Sequence, residues 1–336
     1  MDPFVFISQL VLYALGANVV AATIPELFTG HLVRIGLSLA ATLAFAYLPF
    51  RLTLRLGPLL FVLGLALLFL TLIGGKTAYG ATRWLVFGSL SLQAAEFVKL
   101  FAILYLARFV ERHGPDSPIL GPVTLISVGA ALITLQPKLI DALLLLGLAG
   151  LVLTAAGVPY RRLIAVSLVG VLVAVSVSGL FVDRLDHVMR RVEAFRKGEL
   201  SEQVQRGHEA LKEMRFFGAG PGAQMHPRPY LGHNDMAFIV LAHALGAYGV
   251  FLLFFLYTAI LIFGLQTSWQ AQGPPSWVAL GITAMLFAEI ILHLAVNLGL
   301  MPVTGLPLPF ISQGGSALVS HGAALGVLYA ARREAG

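Results

Sequence analysis

Ten long apolar runs divide the sequence, and this feature constrains the fold more than any other. Crossing the hydrocarbon core of a membrane takes a helix of roughly 20 apolar residues. The runs are continuous, whereas strands of a membrane β-barrel alternate apolar and polar residues, so the pattern predicts helices. The runs cover approximately 4–24, 31–50, 57–75, 92–112, 119–136, 138–157, 162–182, 236–265, 276–300 and 311–332. The sequence therefore predicts an all-α integral membrane protein, a bundle of about ten transmembrane helices in a single polytopic domain over 1–336.

The composition supports this fold class. Hydrophobic residues make up 58% of the 336 residues and charged residues only 11%, against about 25% charged residues in a soluble domain. The apolar excess is therefore a lipid-facing surface, in agreement with a mean hydropathy of +0.88. The net charge of +6 comes from basic residues scattered among short loops, which predicts no nucleic-acid partner. The sequence has no cysteine, so disulfides and thiol chemistry are excluded.

The distribution of Lys and Arg predicts the orientation. With the N-terminus in the cytoplasm, eight basic residues fall in cytoplasmic segments and four in the short outer ones. Cytoplasmic loops are enriched in Lys and Arg, so both termini are predicted to be cytoplasmic. No basic residue precedes the first run at Phe4, which predicts an uncleaved first helix. The inner group is Arg51, Arg55, Arg108, Arg112, Arg161, Arg162, Arg332 and Arg333, and the outer group is Arg34, Lys76, Arg83 and Lys138.

Residues 183–235 form a predicted extracytoplasmic loop between the seventh and eighth runs, and they hold eight of the sixteen acidic residues. Connections of this length are usually functional or disordered. Apolar residues recur at helical spacing between charged ones, which predicts an amphipathic helix rather than disorder. The sequence leaves open whether this helix lies in the membrane interface or packs on the outer face of the bundle. Its apolar face consists of Leu185, Val188, Met189, Val192 and Phe195.

Two charged pairs lie within or beside the predicted spans. Glu96 and Lys99 sit in the fourth run at positions i and i+3, on one face of the helix. Ionisable residues within a membrane are costly and tend to be functional, but a structural ion pair is an equal alternative here. Lys138 and Asp141 have the same spacing at the outer end of the sixth run, where a solvated helix end is the favoured interpretation.

Three other segments carry distinctive residues. Arg83 beside Trp84 can hold a lipid phosphate or serve as an ordinary interfacial anchor. The glycine-rich stretch 216–224 predicts a turn, since neither a Rossmann nor a P-loop pattern surrounds it. Two prolines in 306–318 prevent a regular helix, and broken backbone at membrane depth is tolerated where it lines a cavity or is buried in protein.

Polar residues also mark the later runs. His243, His293 and His321 have no acid near them in sequence, so each is predicted to be a satisfied interior histidine. Asp235 is the last acid before a long apolar run, and the next acid is Glu289. Taken alone, this position suits an acid at a helix start, where it interacts favourably with the helix dipole.

Together these motifs resemble the SEDS (shape, elongation, division and sporulation) family over nearly the whole chain. The matching segments are GATRW at 80–84 for the family's G-A-x-R-W, Glu96 and Lys99 for the acid and Lys of S-E-x-x-K-L, QP at 136–137 for the start of Q-P-D-L-G-T, HND at 233–235 for H-T-D, and PVTG at 302–305 with LPFISQGGS at 308–316 for P-V-T-G…L-P-F-V-S-Y-G-G-S. The last match is long and specific.

The sequence also departs from the family pattern at several positions. These departures leave the expected fold intact, but they bear on substrate contacts and ion handling near Lys138. Lys138 stands where the family usually has Asp, Gln313 replaces Tyr, Ala94-Ala95 replace the Pro-Ser before Glu96, and His243-Ala244 replace a Glu-Glu pair.

The resemblance implies peptidoglycan glycosyl transfer for cell elongation and shape, in which lipid II is polymerised into glycan strands and undecaprenyl pyrophosphate is released. It makes Asp235 the catalytic carboxylate, at the outer end of the eighth span. A carboxylate can accept the proton of the acceptor sugar hydroxyl, and the pyrophosphate leaving group needs cationic stabilisation. Under this resemblance the candidate substrate-binding residues are Arg83, Trp84, Glu96, Lys99, Arg215, Arg228, Ser312 and Ser316.

The resemblance further implies lipid II and membrane lipid as ligands and a class B penicillin-binding protein, the transpeptidase, as partner. It places the chain in the bacterial cytoplasmic (inner) membrane with the active site on the outer face. The short tails favour a RodA-like elongation role over an FtsW-like division role. The sequence indicates no certain cofactor and leaves a divalent cation open. Two alternatives from other classes also stay open: a lipid II flippase, and a non-catalytic scaffold for the penicillin-binding protein.

The predicted orientation can be checked by cysteine labelling, because the native chain has no cysteine. We expect a membrane-impermeant maleimide to label a cysteine placed at Gly198 in intact cells. A cysteine placed beside Arg161 should stay unlabelled until the cells are permeabilised. The reverse pattern would contradict the orientation.

Overall fold

Apolar helices make up most of the chain. The structure, a computed structural model, describes residues 1–78, 81–87, 90–164, 193, 196–197, 202–212, 216–224 and 234–336. The helices within these residues are α1 (Pro3–Thr23), α2 (Phe28–Tyr47), α3 (Phe50–Gly74), α4 (Ala94–His113), α5 (Leu120–Thr134), α6 (Leu139–Ala155), α7 (Glu202–Lys212), α8 (Ala237–Gln270), α9 (Pro274–Asn297) and α10 (Gly315–Ala335). A 3-10 turn, Pro25–Leu27, joins α1 to α2.

The predicted membrane-spanning character is confirmed in its coarser form. Five of the described helical stretches are long and apolar enough to cross a membrane, and α5 and α6 are shorter apolar helices. These helices support a multi-pass membrane protein. The seventh predicted run and most of the loop 183–235, including its amphipathic helix, lie outside the described residues, so the number of ten spans stays a prediction. The five stretches are Pro3–Thr23, Pro25–Tyr47, Phe50–Gly74, Ala237–Gln270 and Pro274–Asn297.

A small antiparallel sheet, which no pattern in the sequence predicted, interrupts the helices between α3 and α4. Its strands, in the order β1-β2-β3, are β1 (Lys76–Ala78), β2 (Ala81–Phe87) and β3 (Leu90–Leu92). The register pairs Lys76 with Trp84 and Leu85 with Leu92. Along β2, Leu85 is buried and Val86 is exposed, as the two-residue period of a strand requires. The strands are too short for that period to stand out in the sequence.

The described chain divides into two compact units. In the second unit α3 packs against α4 and α5, and α6 packs against α4 and α5. The second unit also contains the sheet. The first unit is Met1–Ala44, Arg191–Phe263 and Leu286–Leu325, and the second is Phe45–Arg190, Gly264–Met285 and Gly326–Gly336.

The helix α8 is broken at Gly246, whose backbone angles are φ 66° and ψ −160°. A break in a helix frees backbone groups, and such groups need partners where water is excluded. The glycine-rich loop 216–224 supplies them, since its own backbone pairs with the backbone on both sides of the break. The bonds are Ala219 N–H to the His243 carbonyl (2.9 Å), Gly220 N–H to the Ala244 carbonyl (2.9 Å) and Tyr248 N–H to the Phe216 carbonyl (3.0 Å).

Two glycines of this loop provide a matched test of that contact. A Cβ added to Gly218 would lie 2.5 Å from both the Ala244 carbonyl oxygen and the Gly246 nitrogen, whereas Gly222 has open space. Both residues have positive φ, +68° and +72°, so alanine at either site carries a left-handed cost of roughly 1–2 kcal/mol. We expect Gly218→Ala to lower the melting temperature in detergent clearly further than Gly222→Ala. Equal melting temperatures would contradict the close approach of the loop to α8.

Candidate active site

Asp235 lies in the first unit, in a turn at 234–236 that leads directly into α8. Its side chain is half-buried. The first N–H groups of a helix have no partner within the helix, and the N-terminal end attracts negative charge. The predicted helix-start position of this acid is therefore confirmed, and the carboxylate sits where apolar sequence begins.

Asn297, the last residue of α9, binds both sides of this helix start. Its Nδ2 donates to the backbone carbonyl of Asp235 (2.8 Å) and to that of His293 (2.9 Å). Its Oδ1 accepts from the backbone N–H of Ile239 (3.3 Å), in the first turn of α8. An amide carries both a donor and an acceptor, so a single fully buried side chain satisfies a carbonyl and an otherwise unpaired N–H. Asn297 thereby holds the backbone of Asp235 in place.

Ser312 holds the preceding residue. Its hydroxyl donates to the backbone carbonyl of Asn234 (3.0 Å) and accepts from the backbone N–H of Leu308 (2.8 Å). Ser312 was predicted to contact substrate, but it is 1% exposed. In this structure its hydroxyl supports the turn that contains Asp235.

The predicted break between α9 and α10 is confirmed, and residues 306–313 of it are buried. Side chains from α8 and α9 replace its missing helical hydrogen bonds. Tyr257 donates its hydroxyl to the Pro309 carbonyl (2.6 Å), and Nδ1 of His293 contacts the Leu306 carbonyl (2.9 Å). Phe310 adopts a positive φ of 62°, which is uncommon for a bulky residue. The broken backbone is therefore buried in protein here, one of the settings in which a membrane protein tolerates it.

Glu289 and His321 form a buried pair that the sequence did not reveal. His321 Nε2 lies 2.6 Å from the Glu289 carboxylate, and both side chains are almost fully buried. His321 is an interior histidine as expected, and its Nε2 is satisfied by an acid from α9, 32 residues earlier. Its Nδ1 has no hydrogen-bond partner among the described residues, so the histidine is satisfied at one nitrogen only. The His321 ring also lies against Phe310, with centroids 5.7 Å apart.

In the second unit, both predicted charged pairs join into one ring of four charges, here called the ion ring: Glu96, Lys99, Lys138 and Asp141. Lys99 contacts Glu96 Oε2 (2.9 Å) and Asp141 Oδ1 (3.1 Å). Lys138 contacts Glu96 Oε1 (3.0 Å) and Asp141 Oδ2 (2.9 Å). All four side chains are at most 2% exposed. The expected solvated helix end at Lys138 and Asp141 is wrong, because α4 packs against α6 and covers both residues.

The other predicted site residues have varied positions. Arg83 and Trp84 lie in β2, and the Trp84 side chain is half-buried. Ser316 lies in the first turn of α10 and is buried. Arg215 and Arg228 lie outside the described residues.

Comparison with known proteins establishes the family of this chain. The profile of the FtsW/RodA/SpoVE family of cell cycle proteins matches residues 3–336, which is nearly the whole chain. The chain belongs to this family. The family is the one that the motifs of the sequence resemble, and the confirmed membership extends to the helices around both Asp235 and the ion ring.

The relatives and similar structures carry consistent names. A protein of Alkalilimnicola ehrlichii, named "Probable peptidoglycan glycosyltransferase FtsW", is 32% identical and covers 90% of this chain and 79% of its own. A Coxiella burnetii protein with the same name is 30% identical, covering 97% and 95%. Among solved structures, RodA of Thermus thermophilus is 26% identical with a TM-score of 0.72, covering 98% of this chain and 96% of its own.

A second solved structure bears on assembly. It is described as "Structural coordination of polymerization and crosslinking by a peptidoglycan synthase complex". The matching chain is 27% identical to this SEDS chain with a TM-score of 0.78, and the match covers 98% and 97% of the two chains.

Sequence reasoning missed Asn297 and Glu289 as parts of the first unit's polar network. The available signal was the presence of an acid and an amide within the ninth apolar run, where polar groups are costly. Spacing along the chain could not have paired either residue, because Asn297 binds a carbonyl 62 residues away.

Asn297 should govern activity through the position of Asp235. Asn297→Asp keeps an acceptor for Ile239 but places a carboxylate against two carbonyls, and Asn297→Leu removes both functions. Misplacing a catalytic group by about 1 Å can cost on the order of 100-fold, so we expect roughly 10–100-fold lower kcat with a nearly unchanged KM.

The control is Asn18→Leu on α1, where Oδ1 of Asn18 has no hydrogen-bond partner among the described residues. This variant should behave like the wild type in a polymerisation assay. Wild-type kcat in folded Asn297→Leu protein would refute the role of Asn297 in positioning Asp235.

Proposed function

We propose that this protein is a peptidoglycan glycosyltransferase that polymerises lipid II into glycan strands and releases undecaprenyl pyrophosphate. Family membership supports the activity. The observation that carries the site assignment is the half-buried Asp235 at the start of α8. Asn297 binds its backbone carbonyl, and Ser312 binds the carbonyl of the preceding residue, Asn234. A carboxylate held in this way is preorganised for proton transfer.

In the proposed reaction, Asp235 accepts the proton of the acceptor sugar hydroxyl as that oxygen bonds to the anomeric carbon of the donor. The bond from the anomeric carbon to the pyrophosphate oxygen breaks, and its electron pair leaves with the pyrophosphate. A sugar hydroxyl is a weak nucleophile, so a positioned base is needed at neutral pH. The backbone of Asp235 is held by Asn297, and its half-buried side chain is still open to substrate.

The developing negative charge on the pyrophosphate requires cations. Arg83, Arg215 and Arg228 are the proposed contacts, since Arg binds phosphate oxygens in a bidentate manner. Trp84, half-buried on the same strand as Arg83, is proposed to lie against lipid. Lys99 is less suited to this role, because its ammonium is buried and bonded to two carboxylates. Ser316 stays a substrate candidate at the start of α10.

The proposed setting is the bacterial inner membrane, with both termini cytoplasmic and the active site on the outer face. Binding of a class B penicillin-binding protein is proposed because a chain of a peptidoglycan synthase complex shares this fold. Whether the enzyme serves elongation or division depends on the cellular partner. The relatives from Alkalilimnicola ehrlichii and Coxiella burnetii carry the name FtsW, while a RodA is among the similar structures.

Asp235→Asn tests the catalytic assignment. Asparagine keeps the size of the side chain and is a good residue at a helix start, but it cannot accept a proton at neutral pH. General-base catalysis contributes about 10²–10⁴-fold, so we expect the rate of lipid II polymerisation to fall by at least about 100-fold while folding and partner binding persist. Asp235→Glu should also be nearly inactive, because its carboxylate is displaced by about 1 Å.

Asp116→Asn serves as the control, since Asp116 is 86% exposed and should not affect the rate. Near-normal polymer from folded Asp235→Asn protein would end the assignment. The same purified protein with labelled lipid II also separates the alternatives. Exchange of lipid II between leaflets without polymer indicates a flippase, and neither activity indicates a scaffold.

A further inference from the structure

In the ion ring, every carboxylate oxygen is paired with a lysine ammonium. Each of the four carboxylate oxygens of Glu96 and Asp141 contacts an ammonium, and each lysine contacts both acids, at 2.9–3.1 Å. Two positive and two negative charges give a formal net charge of zero. Charges in a medium of low dielectric are tolerated only when they are paired and hydrogen-bonded in this way.

The ring contains a departure from the family pattern together with its compensation. Where the pattern reads Q-P-D-L-G-T, this chain has Gln136, Pro137, Lys138, Leu139, Ile140 and Asp141. The acid has moved three residues, from the third position to the sixth, and a lysine fills the vacated position. Residues at i and i+3 at a helix start lie on the same face. The side chains of Lys138 and Asp141 therefore lie next to each other.

We propose that Lys138 and Asp141 act together as one positioning unit, in which the Lys138 ammonium supplies a permanent positive charge beside Glu96. By holding the Glu96 carboxylate, this unit fixes the connection between β3 and α4. Glu96 lies in the first turn of α4, two residues into the helix and four residues after β3 ends. β2, which contains Arg83 and Trp84, pairs directly with β3. The proposal rests on the proposed function only in its activity readout.

A direct role for Lys138 in binding pyrophosphate is disfavoured by the geometry. The side chain is 2% exposed, and two of its three N–H donors already face Glu96 and Asp141. The turn that contains it is fixed as well. Gln136 donates Nε2 to the Leu68 carbonyl of α3 (3.1 Å), and the Lys138 carbonyl accepts from Ala142 N–H (3.1 Å). Lys138 acts through the ring and not on the substrate.

Charge exchange between the two positions tests the unit. Lys138→Asp restores the residue of the family pattern but leaves three acids with Lys99, a net charge of −2. Asp141→Lys leaves three lysines with Glu96, a net charge of +2. The double variant Lys138→Asp/Asp141→Lys returns the ring to zero. Breaking a buried ion pair is strongly destabilising, so each single variant should melt roughly 5–10 °C lower in detergent.

We expect the double variant to recover most of that loss and to polymerise lipid II within about 3-fold of the wild-type rate. In the folded fraction of each single variant, kcat should fall at least roughly 10-fold while KM for lipid II is preserved. The reason is that a displaced connection between β3 and α4 affects the alignment of the reacting groups more than the binding of lipid II. Raised KM with normal kcat would instead mark a substrate contact and overturn the positioning role.

The exposed pair Arg51 and Glu334 in the same unit is the matched control. Its atoms are 2.7 Å apart, at least as close as those of the ring, but Arg51 is 78% exposed, and surface pairs contribute little. Arg51→Glu should leave both the melting temperature and the rate unchanged. If Lys138→Asp alone behaves like the wild type, or the double variant is no better than the singles, the proposal fails. Melting temperatures decide this even if no polymer forms, which distinguishes its failure from that of the proposed function.

Discussion

A polar group inside an apolar chain must find its partner within the protein, and the described structure is arranged around this requirement. Among the described residues of the first unit, helical backbone is interrupted at Gly246 and between α9 and α10. The backbone groups that each interruption frees find their hydrogen-bond partners in a different way. The glycine-rich loop supplies backbone partners at Gly246, and the side chains of Tyr257, His293 and Ser312 supply hydrogen bonds within the other.

The same requirement, applied to the unpaired backbone groups at the start of α8, also builds the candidate site. The same Asn297 amide that pairs an otherwise unpaired N–H of α8 also binds the carbonyl of Asp235, so one side chain supports both the helix start and the proposed catalytic residue. A carboxylate on an exposed loop would have to be ordered for each turnover. Here the backbone of Asp235 is already ordered when the protein folds, so the entropy cost of ordering it is not added at each turnover. This is the physical meaning of preorganisation.

The second unit applies the same requirement to full charges. Lone buried ions are far more costly than unpaired amides, and the ion ring avoids this cost by placing an ammonium against every carboxylate oxygen. The ring explains how a reversed charge at Lys138 is compatible with a family fold. The reversal is balanced by Asp141, one helical turn further along α6.

Much of the architecture was determined by the sequence alone. Long apolar runs require helices because no other local structure satisfies the backbone in lipid. Nine of the described helices coincide with those runs, although α3 begins at Phe50 rather than at 57 and α8 extends to Gln270 rather than to 265. The motifs identified the family and singled out Asp235. The short sheet was missed, since its strands are only three to seven residues long.

Tertiary packing alone decided which polar residues meet. Spacing on one helix paired Glu96 with Lys99 and Lys138 with Asp141, but only the packing of α4 on α6 joined the pairs and buried them. Contacts across 42 residues leave no periodic trace in a single sequence. The sequence by itself determined which residues are costly to bury, and the tertiary structure decided how that cost is offset, because pairing depends on distances that the chain order does not contain.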